Sequence, residues 1–370
     1  MNKKVTVRKC DKYKTDELID LIADIYRTCD GPDLGNKKVL LKPNILVDAD
    51  PVRCVSTHPS VVEAMILFLQ SHGATVFVGD SPSIHIRGFK SIKSGIYHVC
   101  ENRGAKWIDF LVSPSEVPIG NGKIKIASVI KEVDLIISLP KFKNHELVLF
   151  TGAIKNTLGL VPGFTKAKQH ALYQDRDRFA EFLVDLNESV LPHFFLMDAV
   201  MGMEGPGPGQ GTPVKMGVLI GSSNPAALDI IATTLADYDP MTVPTNMVAV
   251  RRGKWLRDIS EIVYDGPEIE TIVKKDFKKI SDTGSKNTIY KFVFNRLKRI
   301  RRVQRRPVFI HQNCIGCKEC IKICPQNAIT MHCEKKNWVV LTDRKCIRCF
   351  CCSEVCQSNA VEIRRKLFGV

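Results

Sequence analysis

Ten of the fourteen cysteines in this 370-residue chain crowd between Cys314 and Cys356, and their spacing is that of ligands to iron. Cys314-x2-Cys317-x2-Cys320-x3-Cys324-Pro325 recurs 32 residues later as Cys346-x2-Cys349-x2-Cys352-x3-Cys356-Gln357. Three thiolates spaced by two residues let one tight loop wrap three corners of an iron–sulfur cube. The fourth cysteine lies too far along the following helix and ligates the other cube. The reading is therefore two [4Fe–4S] clusters. Cys314, Cys317, Cys320 and Cys356 hold the first; Cys346, Cys349, Cys352 and Cys324 hold the second. Each motif is followed by Asn-Ala and an apolar strand (Asn327-Ala328-Ile329, Asn359-Ala360-Val361), so the repeat is a whole pseudo-twofold unit. Zinc is the competing chemistry, but structural zinc sites pair two CxxC units across a longer loop. Cys333 and Cys351 are extra to the pattern. Cys351, beside Cys352, is either a competing ligand or a packing residue.

The remaining four cysteines (Cys10, Cys29, Cys54, Cys100) are scattered, as inert core thiols are. Disulfide frameworks belong to small secreted domains, and no export signal opens this chain. Nor is there an unbroken run of about 20 apolar residues to span a membrane. A cytoplasmic protein is expected. Hydrophobic residues make up 44% and charged residues 25%, an ordinary balance for a globular chain of two or three domains. The formal charge of +15 would suit nucleic acid, but seven basic residues between Arg296 and Arg306 supply about half of it. So local a charge argues against a general nucleic-acid surface, and no specific nucleic acid is expected.

These motifs need elements to position them. Residues 1 to about 265 alternate short apolar runs with helical patterns. Val5–Val7, Val39–Leu41, Thr75–Val78, Leu135–Ser138, Phe194–Met197 and Val218–Ile220 read as strands buried on both faces. Glu17–Tyr26, Pro59–Gln70, Arg178–Ser189 and Ala226–Tyr238 read as helices, the second opened by Ser56-Thr57-His58-Pro59. The class is α/β: an open, mostly parallel sheet with helices on both faces, plus a small α+β module carrying the cysteines. The division expected is 1–265 for the α/β domain, 266–306 for a basic linker and 307–370 for the cysteine module. Within the linker, Asn287–Val303 reads as an amphipathic helix. It is a connecting helix, a peripheral membrane contact through 287–306, or a dock for an acidic partner.

Polar residues gather where the strands end. Lys42-Pro43-Asn44, Gly79-Asp80-Ser81-Pro82, Pro140 to His145, Asp198 and Gly221 to Asn224 follow five of the apolar runs. In an open α/β sheet, ligands bind outside the carboxyl ends of the strands. Lys42, Lys141, Lys143, His145, Lys155 and His170 suggest an anionic small molecule there, a carboxylate or phosphate. Asp80, Asp198, Glu204 and Asp229 would hold an additional divalent metal, serve as general acid or base, or pair with those lysines. The candidate catalytic residues are Lys42, Asn44, Asp80, Lys143, His145, Lys155, Asn156, Asp198 and Asp229. The run from Gly202 to Pro213 holds five glycines but lacks the Gly-Lys-Ser/Thr of a phosphate loop, and a strand follows it. It is either a backbone cradle for an anion or a flap over the site.

Two family resemblances rest on these residues. Residues 308–364 look like a bacterial-type two-[4Fe–4S] ferredoxin, matching at every ligand; Gln357 departs where Pro325 has its counterpart. Residues 35–240 resemble the DUF362 family at Lys42-Pro43-Asn44, Gly79 to Pro82, Lys141 to His145, Thr151 to Asn156, Met203-Glu204-Gly205 and Ala227 to Asp229. Family members are often fused to ferredoxin-type domains, which implies this architecture and no particular reaction. The ferredoxin resemblance implies low-potential electron transfer with a redox partner protein. The leading expectation is an iron–sulfur electron-transfer protein, as an oxidoreductase or a carrier. The alternative is a non-redox enzyme or binding module whose clusters are structural or regulatory.

Overall fold

The computed structural model describes residues 2–83, 87–120, 122–173, 175–280, 305–333 and 337–365. The helix expected over Asn287–Val303 lies outside the described residues.

Strands β1 (Lys4–Lys9), β2 (Lys38–Pro43), β3 (Thr75–Val78) and β4 (Lys106–Trp107) are joined by helices α1 (Thr15–Thr28), α2 (Pro59–Ser71) and α3 (Ile96–Asn102). A hairpin of β5 (Ser115–Ile119) and β6 (Gly122–Ile126) precedes β7 (Leu135–Leu139), β8 (Lys141–His145) and β9 (Leu149–Phe150). Helices α4 (Gly152–Asn156), α5 (Phe164–Leu172) and α6 (Arg176–Val190) lead to the long strands β10 (Phe194–Glu204) and β11 (Thr212–Ser222). Helices α7 (Pro225–Leu235) and α8 (Pro244–Arg252) precede β12 (Val263–Asp265). The sheet order is β12-β1-β11-β10-β7-β2-β3-β4. Neighbours from β10 to β4 run parallel, whereas β11 is antiparallel to both β10 and β1.

Every predicted strand lies inside one of these. Alternation explains their unbroken apolar runs: Val39 and Leu41 pack beneath α1 and α2, while Leu40, between them, meets the core under α6 and α8. Leu135, Ile137 and Leu139 likewise face one side and Ile136 the other. Helices thus cover both faces. α2 starts with Pro59 at its first position and the His58 side chain accepting the Ser60 N–H. α7 stops at Leu235, three residues short of the pattern, where Asp237 takes a left-handed φ of 56°. Residues 266–280, assigned above to the linker, lie against this core: Phe277 is buried beside Phe142 and Tyr238.

The cysteine module pairs β13 (Arg305–Phe309) with β16 (Val361–Arg365), and β14 (Ile329–Met331) with β15 (Val339–Leu341), both antiparallel. Its internal repeat is visible in the backbone. Gly316 and Arg348, Lys318 and Phe350, and Asn327 and Asn359 are equivalent pairs, and all six take a left-handed φ between 47° and 70°. Ala328 N–H donates to Cys324 Sγ and Ala360 N–H to Cys356 Sγ, each at 3.2 Å. Among the described residues no helix is long and apolar enough to cross a membrane.

Candidate functional site

The carboxyl ends of β2 and β3 meet α4 in one buried network. Lys42 Nζ lies 2.9 Å from Asp80 Oδ1, with both side chains almost free of solvent. Asp80 also accepts the N–H groups of Ile45 (2.5 Å) and Ser81 (2.9 Å). Lys42 reaches the Pro43 carbonyl and Asn156 Oδ1, which also accepts from Asn44 Nδ2 at 3.0 Å. Asn156 Nδ2 donates to Ser138 Oγ. Gly159 lies so close that a Cβ there would overlap both Asp80 and Lys42. Burial depresses the Lys42 ammonium against the opposing pull of Asp80. Four of the candidate residues, Lys42, Asn44, Asp80 and Asn156, are thus bonded to one another and brace this edge of the sheet, with Asn44 Oδ1 alone of their buried oxygens left without a partner.

Asp198 belongs to a different network. The expectation that a strand ends there is corrected: β10 runs six residues farther, to Glu204. Asp198 accepts from Lys141 Nζ (2.6 Å), Tyr13 Oη (2.9 Å) and the His58 N–H (2.9 Å). The His58 ring stacks on Tyr13 at 3.6 Å, and burial holds it neutral, down to about 4. The convergence of five strand ends also needs correction. β11 is antiparallel, so Gly221 to Asn224 lie at the opposite edge, where Asn224 caps α7 and reaches the Trp255 carbonyl. Asp229 lies under α4, accepting the N–H groups of Ala153 (2.5 Å) and Ile154 (3.0 Å). Burial pushes its carboxyl up to about 7. It positions the turn that carries Lys155 and Asn156. Glu204 accepts the Lys278 N–H and pairs with that residue's ammonium.

The other cations cluster together, and among the described residues no acid of the α/β domain pairs with them. Lys143 is 1% exposed and donates to the Val55 carbonyl at 2.7 Å. Burial, and then neighbouring Lys155, depress its ammonium strongly. His145 is 2% exposed; its Nδ1 accepts the N–H groups of Leu147 and Val148. That assigns the ring proton to Nε2. Lys155 is partly exposed yet walled in by protein, and burial lowers it against the pull of Glu354. Burial brings Lys166 down to about 8 and His170 to about 4. Lys166 donates to the Ser81 carbonyl.

The acid that faces this cluster comes from the other end of the chain. Glu354 closes the short helix Cys351–Glu354, and its Oε1 lies 3.6 Å from His145 Nε2. Its Oε2 is 3.4 Å from Ser83 Oγ. Burial alone would raise this carboxyl, and His170, His145 and Lys155 outweigh it. Sequence reading missed Glu354 because it lies inside a cysteine motif. One signal was present: the equivalent position of the first motif is Lys322, a reversal of charge within a close repeat. Tyr13, His58 and Lys166 were missed too: His58 and Lys166 are distant in sequence from any strand end, and Tyr13 follows β1, whose end is not among the five read as polar.

The glycine-rich run is neither a cradle nor a free flap. It closes the β10–β11 hairpin through a cis Gly207–Pro208 bond and clasps the cysteine module. Gln210 Nε2 donates to the carbonyls of Ser353 (2.8 Å) and Val361 (3.2 Å), and Arg53 donates to the Gly209 carbonyl. Only glycine fits at 209, since a Cβ would strike the Glu354 carbonyl. From α5, Ala167 packs into the apolar core of the module.

The thiols of the two motifs lie close to one another. Burial, then Cys317, Cys356 and Cys314, push the Cys320 thiol up to about 12. Burial, then Cys349, Cys346, Cys320 and Cys324, push Cys352 well up. Each fourth cysteine, Cys356 and Cys324, is therefore beside the loop of the other motif. Thiols gathered this closely resist joint ionisation until iron relieves it. Cys324, Cys346, Cys349 and Cys352 line one cavity, with Cys351 beside them. Asp80, Asp198, Glu204 and Asp229 stand in separate networks, each held by its own partners. The additional divalent metal expected from the acidic residues has no support there.

An open α/β sheet with a cation-lined edge, clasped to an iron–sulfur module, defines a ferredoxin-linked α/β protein. The chain belongs to the family described as domain of unknown function DUF362, whose model matches residues 39–234. A 4Fe-4S dicluster domain matches residues 313–360. Thylakoid-associated protein sll1697 of Synechocystis sp. is 31% identical over 269 residues, covering 68% of this chain and 80% of that protein. Among solved structures, the lactate racemase apoprotein of Thermoanaerobacterium thermosaccharolyticum is similar at a TM-score of 0.42 and 13% identity. That likeness covers 63% of this chain and 57% of the other.

Proposed function

We propose that this protein exchanges electrons with a reaction or a partner at the α/β pocket, where an anionic small molecule binds. In this reading it carries two [4Fe–4S] clusters, one on Cys314, Cys317, Cys320 and Cys356, the other on Cys346, Cys349, Cys352 and Cys324. The observation that carries the reading is the place of Glu354. It stands two residues from Cys352 and two from Cys356, and its carboxylate faces His145 across the join. Bound clusters supply one-electron transfer at potentials set by hydrogen bonds and solvent access.

The chain's own residues do the rest. Lys143, Lys155 and Lys166 have no acid of the α/β domain as an ion-pair partner among the described residues, so the pocket attracts an anion. Gln210 and Arg53 keep pocket and module in register. On the outer side of the module, Ile315 is 63% exposed and Cys317 is exposed, which offers a redox partner protein an open approach. The protein works in the cytoplasm, and the basic run from Arg296 to Arg306 lets it touch an anionic membrane surface. The thylakoid association in the name of its Synechocystis relative supports that contact.

A second reading rests on Lys143. A buried amine with a depressed pKa and one carbonyl partner suits proton transfer or nucleophilic attack, with the clusters structural.

Anaerobic purification, iron and sulfide analysis and an EPR redox titration separate the two. About eight irons, with signals that couple on reduction, are expected. Four or fewer in folded protein, or clusters that resist reduction, would move the function to the α/β domain alone.

A further inference from the structure

We propose that the pocket at His145, Lys155 and Ser83 is a carboxylate-binding site, and that Glu354 sits in it as a tethered stand-in for the ligand's carboxylate. This rests on the reading above, whose anionic ligand it names by class.

Two donors, His145 and Ser83, face the Glu354 carboxylate and neither is well met, while His170 and Lys155 add positive charge nearby. His145 Nδ1 is already an acceptor, so Nε2–H points into the pocket; it is buried and has no hydrogen-bond partner. Its 3.6 Å separation from Glu354 is well beyond the 2.7–2.9 Å or so of a charge-assisted hydrogen bond. The Ser83 contact is long as well, at 3.4 Å. Lys155 forms no hydrogen bond or ion pair among the described residues, although Glu354 is the strongest charge acting on it. A carboxylate chosen for structure alone would have closed on at least one of these donors. This one is held at the end of a short helix that carries the assigned ligand Cys352 and whose Ser353 carbonyl accepts from Gln210. It cannot advance, so the donors stay free for a group that can.

The module itself does not require an acid here. At the equivalent position of the first motif, Lys322 is exposed and pairs with Glu319. Donor chemistry favours carboxylate over phosphate. The site offers two side-chain cations or imidazoles and a hydroxyl, while the backbone N–H groups of Gly205 and Gly207, which a phosphate cradle would need, already donate to the carbonyls of Lys278 and Gly205.

Isothermal titration of the oxidised, iron-loaded protein with acetate and succinate, against inorganic phosphate, tests this. Glu354→Gln keeps the side chain's size and removes the competing charge; at least tenfold tighter carboxylate binding is expected, with iron content unchanged. Lys155→Met should weaken binding at least tenfold, again with iron retained. Equal carboxylate affinity in Glu354→Gln and the parent protein overturns the stand-in, and tighter phosphate than carboxylate binding overturns the ligand class. Should Glu354→Gln lose iron, Lys155→Met decides: unchanged affinity there overturns the site. None of these readings depends on cluster reduction. Clusters that cannot be reduced would sink the electron-transfer reading and leave the binding result standing.

Discussion

The carboxylate of Glu354 and the imidazole of His145 face one another at 3.6 Å, one at the end of a cysteine-module helix, the other at the end of β8. More than two hundred residues separate them in the chain. The pair brings the helix Cys351–Glu354 of the cysteine module against the cation-rich edge of the large sheet.

The ligand assignment predicts a selective loss. Cys320→Ala should remove about half of the iron and destabilise the module, since metal binding and folding are coupled. Iron and sulfide analysis of the purified variant reads this; full iron content would rule out Cys320 as a ligand.

Removal of Lys143 or His145 should act on the pocket and spare the clusters. Lys143→Ala and His145→Ala are expected to keep iron content unchanged while weakening binding of a carboxylate probe by about tenfold, the scale of one charge-assisted hydrogen bond. Loss of iron instead would mean that pocket and clusters are not separate sites.

The Lys42–Asp80 pair predicts a large cost for half-removal. Asp80→Asn leaves a buried ammonium without its counter-charge, which costs about 3–5 kcal/mol. Chemical denaturation would show it. A loss below about 1 kcal/mol would mean that water reaches Lys42.

Asp229 sets a pH dependence. Its carboxyl is raised from 3.8 to about 7 by burial, so the folded protein holds a proton that the unfolded chain releases. Stability contributed by the protonated form is complete below about pH 4 and falls as pH rises toward 7. Asp229→Asn should flatten that window, with a relative gain of a few kcal/mol between pH 4 and 7. Parallel curves for parent and variant would refute the raised value.

Gly209 predicts a local effect. Gly209→Ala drives a methyl group into the Glu354 carbonyl and should cost about 1–3 kcal/mol as overpacking. Hydrogen exchange should speed up across Ser353 to Val361, where Gln210 holds the module. Unchanged protection there would show that the clasp is dispensable.

Much of this architecture was legible in the sequence because its signals are local. A cysteine spacing of two and three residues describes one loop and one helical turn, and the repeat of Gly316 in Arg348 and Asn327 in Asn359 follows from it. The unbroken apolar runs of β2, β7 and β10 follow from burial on both faces. Errors arose where an element's direction or length mattered. Gly221 to Asn224 were placed with the other strand ends because nothing in Val218–Ile220 says that β11 runs antiparallel. Asp198 looked like a terminus because its carboxylate interrupts an apolar run, yet Lys141, Tyr13 and His58 neutralise it within the strand.

By itself the sequence determined the α/β class, the cysteine-rich iron–sulfur module and the surplus of lysines, since each is written in residue type and short-range spacing. Only the tertiary structure decided which lysines already have an acid. Lys42 and Lys141 find Asp80 and Asp198, while Lys143 and Lys155 have no ion-pair partner among the described residues and feel the charge of Glu354 from the far module. Pairing of charges depends on distances of a few ångströms between segments hundreds of residues apart. No periodicity along the chain encodes such distances; packing of the two halves sets them.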